Sequence, residues 1–251
     1  MKILLAPSES KRSGGEEPFE LCRLLFDELC PLRKELLEIY REILQRGDPE
    51  ELHRIFGLKK ESQIEHYRQI DPLHSGGMKA ILRYEGVAFD YLDYESLDEK
   101  ARGYIDANVI LFSNLFGPVL ASDLLPEYRL KQGAPLGQVQ TDRRYREAAA
   151  PLLDALLEGE EILDLRAGYY DRFYKPAHPY TTMKFLIQGK SVSHWAKAWR
   201  GRVAREAALH EVETTQQLTA LPLPGMRLLE IQRRKLRTEL IYEVEPDALA
   251  Q

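Results

Sequence analysis

A single α+β domain, a mixed β-sheet flanked by helices, is the fold class this sequence predicts, and three observations predict it. Short apolar runs of strand length recur at residues 2–6, 109–113, 162–166 and 181–187, bounded by proline, glycine or charged residues. The segments between them carry apolar residues at helical spacing, but with no strict strand–helix repeat, which disfavours a regular doubly wound sheet. Two alternating runs at 227–232 and 238–245, with Arg233, Arg234 and Lys235 near their junction, predict an antiparallel hairpin at the end. At 251 residues the chain can bury a substantial core, and no internal repeat or long linker divides 1–251.

Taken in order, residues 2–6 read as a buried first strand closed by Pro7. The polar loop Ser8-Glu9-Ser10-Lys11-Arg12 follows, either as a mobile surface loop or as a site loop at a strand's carboxyl end. Residues 19–46 carry helical spacing broken by Pro31, hence two helices or one bent one. Asp48-Pro49 is a cap followed by proline at the first helical position. Its helix runs to Phe56, Gly57 turns the chain, and a second helix covers about 61–70. This unit, about 48–70, is helix-hairpin-helix-like, although with only one turn glycine an ordinary helical hairpin reads the same way. Helices at 96–107 and 142–157 precede the strands at 109–113 and 162–166. Residues 114–133 read as a structured loop with a short strand, and the proline-rich link 175–179 leads to the strand at 181–187.

Composition excludes several classes. Thirty-five Lys and Arg against forty Asp and Glu leave a net charge of −5, so nucleic-acid binding requires a local basic surface. Cys22 and Cys30 are too few for a disulfide scaffold and are expected to be core thiols in a reducing compartment. The N-terminus lacks the apolar stretch of a signal peptide, and no apolar run has the length of a membrane span, which predicts a cytoplasmic protein with no membrane association. No phosphate-binding loop, dinucleotide fingerprint, zinc helix or nucleophile elbow occurs. The six histidines are scattered, so no metal and no cofactor is expected.

Residues 191–205 carry the most pointed pattern. At about 3.6 residues per turn, Val192, Trp195, Trp199 and Val203 fall on one helix face, and His194, Lys197, Gly201 and Arg205 on the opposite one. With Ser191 or Ser193 as N-cap, His194 sits in the first turn, where phosphate or carboxylate is favoured. The same pattern also describes a solvated basic face. Other polar residues fall at predicted strand ends: Ser8, Glu9 and Lys11 after the first strand, then Arg129, Asp164, Arg166 and Lys190. Strand ends often share a rim, so these residues predict a cationic cleft that includes Lys197. Arg166 and Asp164 read equally as an internal ion pair.

Five blocks in order along the chain resemble the YaaA family of peroxide stress resistance proteins. They are Pro7-Ser8-Glu9-Ser10-Lys11, Arg83-Tyr84-Glu85-Gly86-Val87, Phe112-Ser113-Asn114-Leu115-Phe116-Gly117 with Asp123 and Tyr128-Arg129-Leu130, Asp164-Leu165-Arg166-Ala167-Gly168-Tyr169-Tyr170, and Val192-Ser193-His194-Trp195-Ala196-Lys197. The resemblance implies an α+β domain with a positively charged cleft and a helix-hairpin-helix element. It also implies binding to duplex or distorted DNA without sequence preference, and a role in limiting iron-dependent peroxide damage. Ala196 stands where similar proteins often carry asparagine, and Arg200 where lysine is common.

Three functions compete. In the first, Ser8, Lys11, Lys59, Lys60, Arg129, Arg166, Lys190, His194, Lys197 and Arg200 bind DNA phosphates or another anion. In the second, an enzyme acts on a small anion or nucleotide through Lys197 or His194, with Glu9 or Asp164 orienting it; these four are the catalytic candidates. In the third, a cationic face binds an acidic protein, although no obligate partner is indicated.

Overall fold

The computed structural model describes residues 1–191 and 195–245. Ten strands are assigned among them: β1 (Lys2–Leu5), β2 (Met78–Lys79), β3 (Val109–Ser113), β4 (Gly117–Leu120), β5 (Leu124–Leu125), β6 (Ile162–Asp164), β7 (Tyr180–Ile187), β8 (Lys190–Ser191), β9 (Met226–Arg234) and β10 (Arg237–Val244). The helices are α1 (Cys30–Arg46), α2 (Pro49–Phe56), α3 (Glu61–Gln69), α4 (Ala80–Arg83), α5 (Val87–Leu92), α6 (Glu99–Asn108), α7 (Thr141–Leu156), α8 (Ala196–Leu209) and α9 (Thr215–Ala220). The fold is α+β in one domain. Its main sheet runs β4-β3-β1-β6-β7-β10-β9, with β8 added to β7, and β2 pairs with β5 separately.

The sheet is mixed for a reason visible in the residues. β1, β3, β6, β7 and β10 run parallel, and β3, sequence VILFS, is buried along its whole length, as a strand covered on both faces requires. β4 and β9 close the two edges antiparallel. β9 is largely exposed and carries Arg227, Arg233 and Arg234, charges that discourage further strand addition. The predicted terminal hairpin is therefore present, turning at Lys235 with φ 44°. Its partnership with β7 is parallel.

The helical hairpin forms as its caps dictate. Asp48 accepts from the Glu51 amide at 2.8 Å, Pro49 opens α2, and Gly57 ends it in the left-handed region at φ 63°. Lys131 runs across this turn, and a Cβ on Gly57 would lie 2.6 Å from Lys131 Cδ. The left-handed φ is what calls for glycine there; the Lys131 chain is flexible and can swing aside.

Two expectations are corrected. Cys22 and Cys30 are joined in a disulfide, with Cα atoms 4.9 Å apart, instead of being free core thiols. On one continuous helix an eight-residue separation would span about 12 Å. The chain instead makes short 3₁₀ turns at Leu21–Arg23 and Asp27–Leu29, and Phe26 at φ 65° folds it back.

The two-faced reading of 191–205 also changes. α8 begins at Ala196 with Trp195 as its N-cap residue. Trp195 is 44% exposed, while Trp199 and Val203 are fully buried, so Trp195 does not share the packed stripe. Gly201, assigned to the reactive face, is buried against α5: a Cβ there would lie 1.9 Å from the Ala88 carbonyl oxygen. Alanine and glycine along α8 allow close approach on more than one side, so this helix is mostly interior. Val192, Ser193 and His194 lie outside the described residues.

Arg33 shows how the core tolerates charge. Fully buried in α1, it donates to the carbonyls of Leu24, Leu25, Phe26, Phe116 and Pro118. These bonds tie the strand-poor N-terminal segment to β4.

Candidate functional site: a buried lysine and a charged cavity at the strand ends

The loop that follows β1 turns its lysine inward. Lys11 is 6% exposed, and its backbone pairs with Tyr84 in an isolated bridge. Its Nζ donates to the carbonyls of Ser8 and Glu9 at 3.3 and 3.4 Å. It stands 4.2 Å from the centre of the Tyr128 ring and 5.3 Å from that of Tyr84, faces that attract a cation. Burial, then Arg129, and more weakly Arg83, hold the ammonium pKa down at about 7 against the opposing pull of Glu9.

A hydroxyl chain lies beside it. Ser113 Oγ, at the end of β3, accepts from the amides of Leu115 and Phe116 and sits 2.7 Å from the Tyr128 hydroxyl. Tyr128 in turn is 2.8 Å from the Tyr84 hydroxyl. With both Ser113 lone pairs engaged, its proton goes to Tyr128, and Tyr128 donates to Tyr84. Burial raises both tyrosines above the ordinary phenol value. Asn114, next along the chain, donates to the Leu130 carbonyl at 3.3 Å, while its buried Oδ1 has no hydrogen-bond partner among the described residues.

Glu9 and Arg129 complete this rim. Arg129 donates to the carbonyls of Phe56 and Glu9 at 2.8 and 3.1 Å and approaches the Glu9 carboxylate at 3.6 Å. Glu9 also accepts from the Gln132 amide at 3.2 Å. Lys11 and Arg129, expected to face an anion, are both buried, with their donors on backbone carbonyls and the Lys11 ammonium over two rings. Ser8 is half-buried, and its Oγ accepts from the Ser10 amide.

Further along the sheet, Arg166 donates to both Asp164 oxygens, at 2.9 and 2.7 Å, and stacks over Phe112. This is the internal ion pair. The pair borders a cavity of about 300 Å³, to which β7, β10 and the first turns of α8 also contribute. Of the predicted residues, Asp164, Arg166 and Arg200 come together here. Lys59, Lys60, Lys190 and Lys197 are all exposed. Among the described residues, no group of three or more His, Cys, Asp or Glu side chains is placed to hold a metal ion.

The family described as peroxide stress protein YaaA matches residues 1–231. The chain belongs to the YaaA family. A protein of Campylobacter jejuni described as uncharacterized is 41% identical over 245 residues, covering 97% of this chain and 99% of its own. A protein of Streptomyces coelicolor described as a UPF0246 protein is 32% identical over 258 residues, with 100% and 94% covered. A UPF0246 protein of Fusobacterium nucleatum is 27% identical over 237 residues, with 91% and 93% covered.

Membership gives the ordered sequence blocks a physical meaning. The opening block carries Ser8, Glu9 and Lys11; the second carries Arg83 and Tyr84; the third carries Ser113, Asn114, Tyr128 and Arg129. Ser8, Glu9, Arg83, Tyr84, Tyr128 and Arg129, drawn from all three, surround Lys11. Reading the sequence for surface cations passed over Tyr84, Ser113, Asn114 and Tyr128, although each lay inside a block that had been singled out. Arg83, fully buried and bonded to the carbonyls of Arg12, Gly76 and Leu125, was missed in the same way. Lys131 and Lys184 carried no sequence signal.

Proposed function

We propose that this YaaA-family chain is a peroxide stress protein that binds DNA without reading base sequence, and so limits iron-dependent oxidative damage. The observation that supports this reading is the turn between α2 and α3. Lys59 and Lys60 are exposed there, and Lys131, also exposed, lies across Gly57. The amides of Leu58, Lys59 and Lys60 donate no hydrogen bond among the described residues. Three ammonium groups and three free amides at a glycine-capped turn are what a helix-hairpin-helix element uses to hold a phosphate. A local cationic element also answers the chain's net negative charge.

Lys59→Ala with Lys60→Ala tests it in fluorescence-anisotropy titrations of a duplex. Removing two phosphate contacts should weaken binding and flatten the slope of log K against log salt by about 1.8. Affinity and slope equal to the parent's would sink the reading. If DNA shielding is the route of protection, cells carrying the double variant should lose peroxide resistance when free iron is present.

A second reading, an enzyme acting on an anionic small molecule or nucleotide, is supported by Lys11. The sequence pointed to Lys197 or His194 as its reacting group, but Lys197 is exposed and His194 lies outside the described residues. An amine buried against two tyrosines and holding a pKa of about 7 has the character of a proton-transfer group. Lys11→Met would abolish turnover of such a substrate while leaving duplex affinity unchanged.

A further inference from the structure

We infer that the cavity between β7, β10 and the first turns of α8 binds a small phosphate monoester, the ester of a hydroxyl-bearing molecule. This goes beyond both readings above, because neither the α2–α3 turn nor Lys11 lines it.

The floor is set by strand register. Tyr180 pairs with Arg237 and Thr182 with Glu239 across β7 and β10, and Lys184 follows two residues on, so alternate residues of β7 share the cavity face. Most charges there are already neutralised. Asp164 holds Arg166, Glu239 holds Arg237, and the Thr182 hydroxyl donates to the Asp164 carbonyl. Two cations remain. Lys184 is exposed on the floor, and Arg200 is half-buried in the wall; among the described residues neither makes a hydrogen bond or a salt bridge.

Arg200 is the more telling of the two. Burial disfavours its charge, with only the nearby Asp164 opposing that effect, and Asp164 is already committed to Arg166. A guanidinium desolvated without a hydrogen-bonding partner is costly unless an anion joins it. Its planar fork suits phosphate, and Lys184 adds a second positive charge for a dianion. Ala196 in the first turn of α8 also lines the cavity.

Asp171 and Tyr180 define the organic part of the ligand. Burial raises the Asp171 carboxyl above its ordinary range, against the pull of Arg166, and the Tyr180 hydroxyl makes no hydrogen bond among the described residues. A carboxyl and a phenol on one wall recognise hydroxyl groups. The volume, at the lower end for ligand cavities, fits a compact ester and excludes a duplex.

Isothermal titration of the full chain with ribose 5-phosphate, and separately with inorganic phosphate, tests this. Ribose 5-phosphate should bind saturably at one site and more tightly than inorganic phosphate. Lys184→Met and Arg200→Gln should each weaken it at least tenfold, while Lys59→Ala with Lys60→Ala leaves it unchanged. Absence of saturable binding overturns the inference, as does parental affinity in both cavity variants. Equal affinity for inorganic phosphate overturns the ester assignment. Should Arg200→Gln fail to fold, the exposed Lys184→Met decides the matter alone.

Discussion

Lys11 and Lys59 carry the same side chain in opposite surroundings. Lys11 is packed under two tyrosine rings at the carboxyl end of β1 with its pKa held at about 7, whereas Lys59 stands in solvent at a helical turn. The buried rim around β1 and β3 spends its cations on holding backbone in place: Arg33, Arg83 and Arg129 all donate to carbonyls. Lys59 and Lys60 of the α2–α3 turn are exposed and make no side-chain hydrogen bond or salt bridge among the described residues. A positive residue in this chain is therefore structural or available according to how many carbonyls converge on it, and its type alone does not say which.

The largest expected effect lies on the buried side. Arg83→Met strands the carbonyls of Arg12, Gly76 and Leu125, and urea denaturation should show a loss of about 3 kcal/mol or more. A change below about 0.5 kcal/mol would erase the distinction between the two regions. Gly201→Ala comes next. Its Cβ would meet the Ala88 carbonyl, so α8 must move off α5 at a cost of about 2 kcal/mol. Parental thermal stability would return that face to the solvent-exposed reading.

The third expectation is a pH dependence. A folded-state pKa near 7, against an ordinary value of 10.5, means that the unfolded chain binds the Lys11 proton more readily between those limits. The burial penalty on the ammonium is present in full below pH 7 and is relieved as pH rises toward 10.5. Relative to Lys11→Met, the parent should therefore gain stability through this window, at up to about 1.4 kcal/mol per pH unit. Parallel stability curves for the two proteins would place Lys11 with the ordinary lysines. The smallest effect belongs to Lys197→Met: as an exposed residue it should change stability by no more than about 0.5 kcal/mol. Unfolding of this variant would show that α8 depends on a charge the geometry leaves in solvent.

The elements were legible because local chemistry decides them. The residues 109–113 and β3 coincide, Asp48-Pro49 and Gly57 bound α2 as their caps require, and the terminal hairpin follows from alternation. Where local reading fell short, distant contacts were responsible. Cys22 and Cys30 meet because Phe26 reverses the chain, and Trp195 and Trp199 part company because α8 starts between them.

By itself, then, the sequence determined the α+β class, the family and the short-range caps, since each depends on residues close in the chain or on ordered blocks along it. Tertiary structure alone decided which cations are buried, because the carbonyls around Arg33 come from segments more than eighty residues apart. It also decided that Asp164, Arg166 and Arg200 share a cavity with Lys184. Strand order places β6 beside β7 and β7 beside β10, and that order is fixed by packing across the whole sheet, which no local pattern encodes.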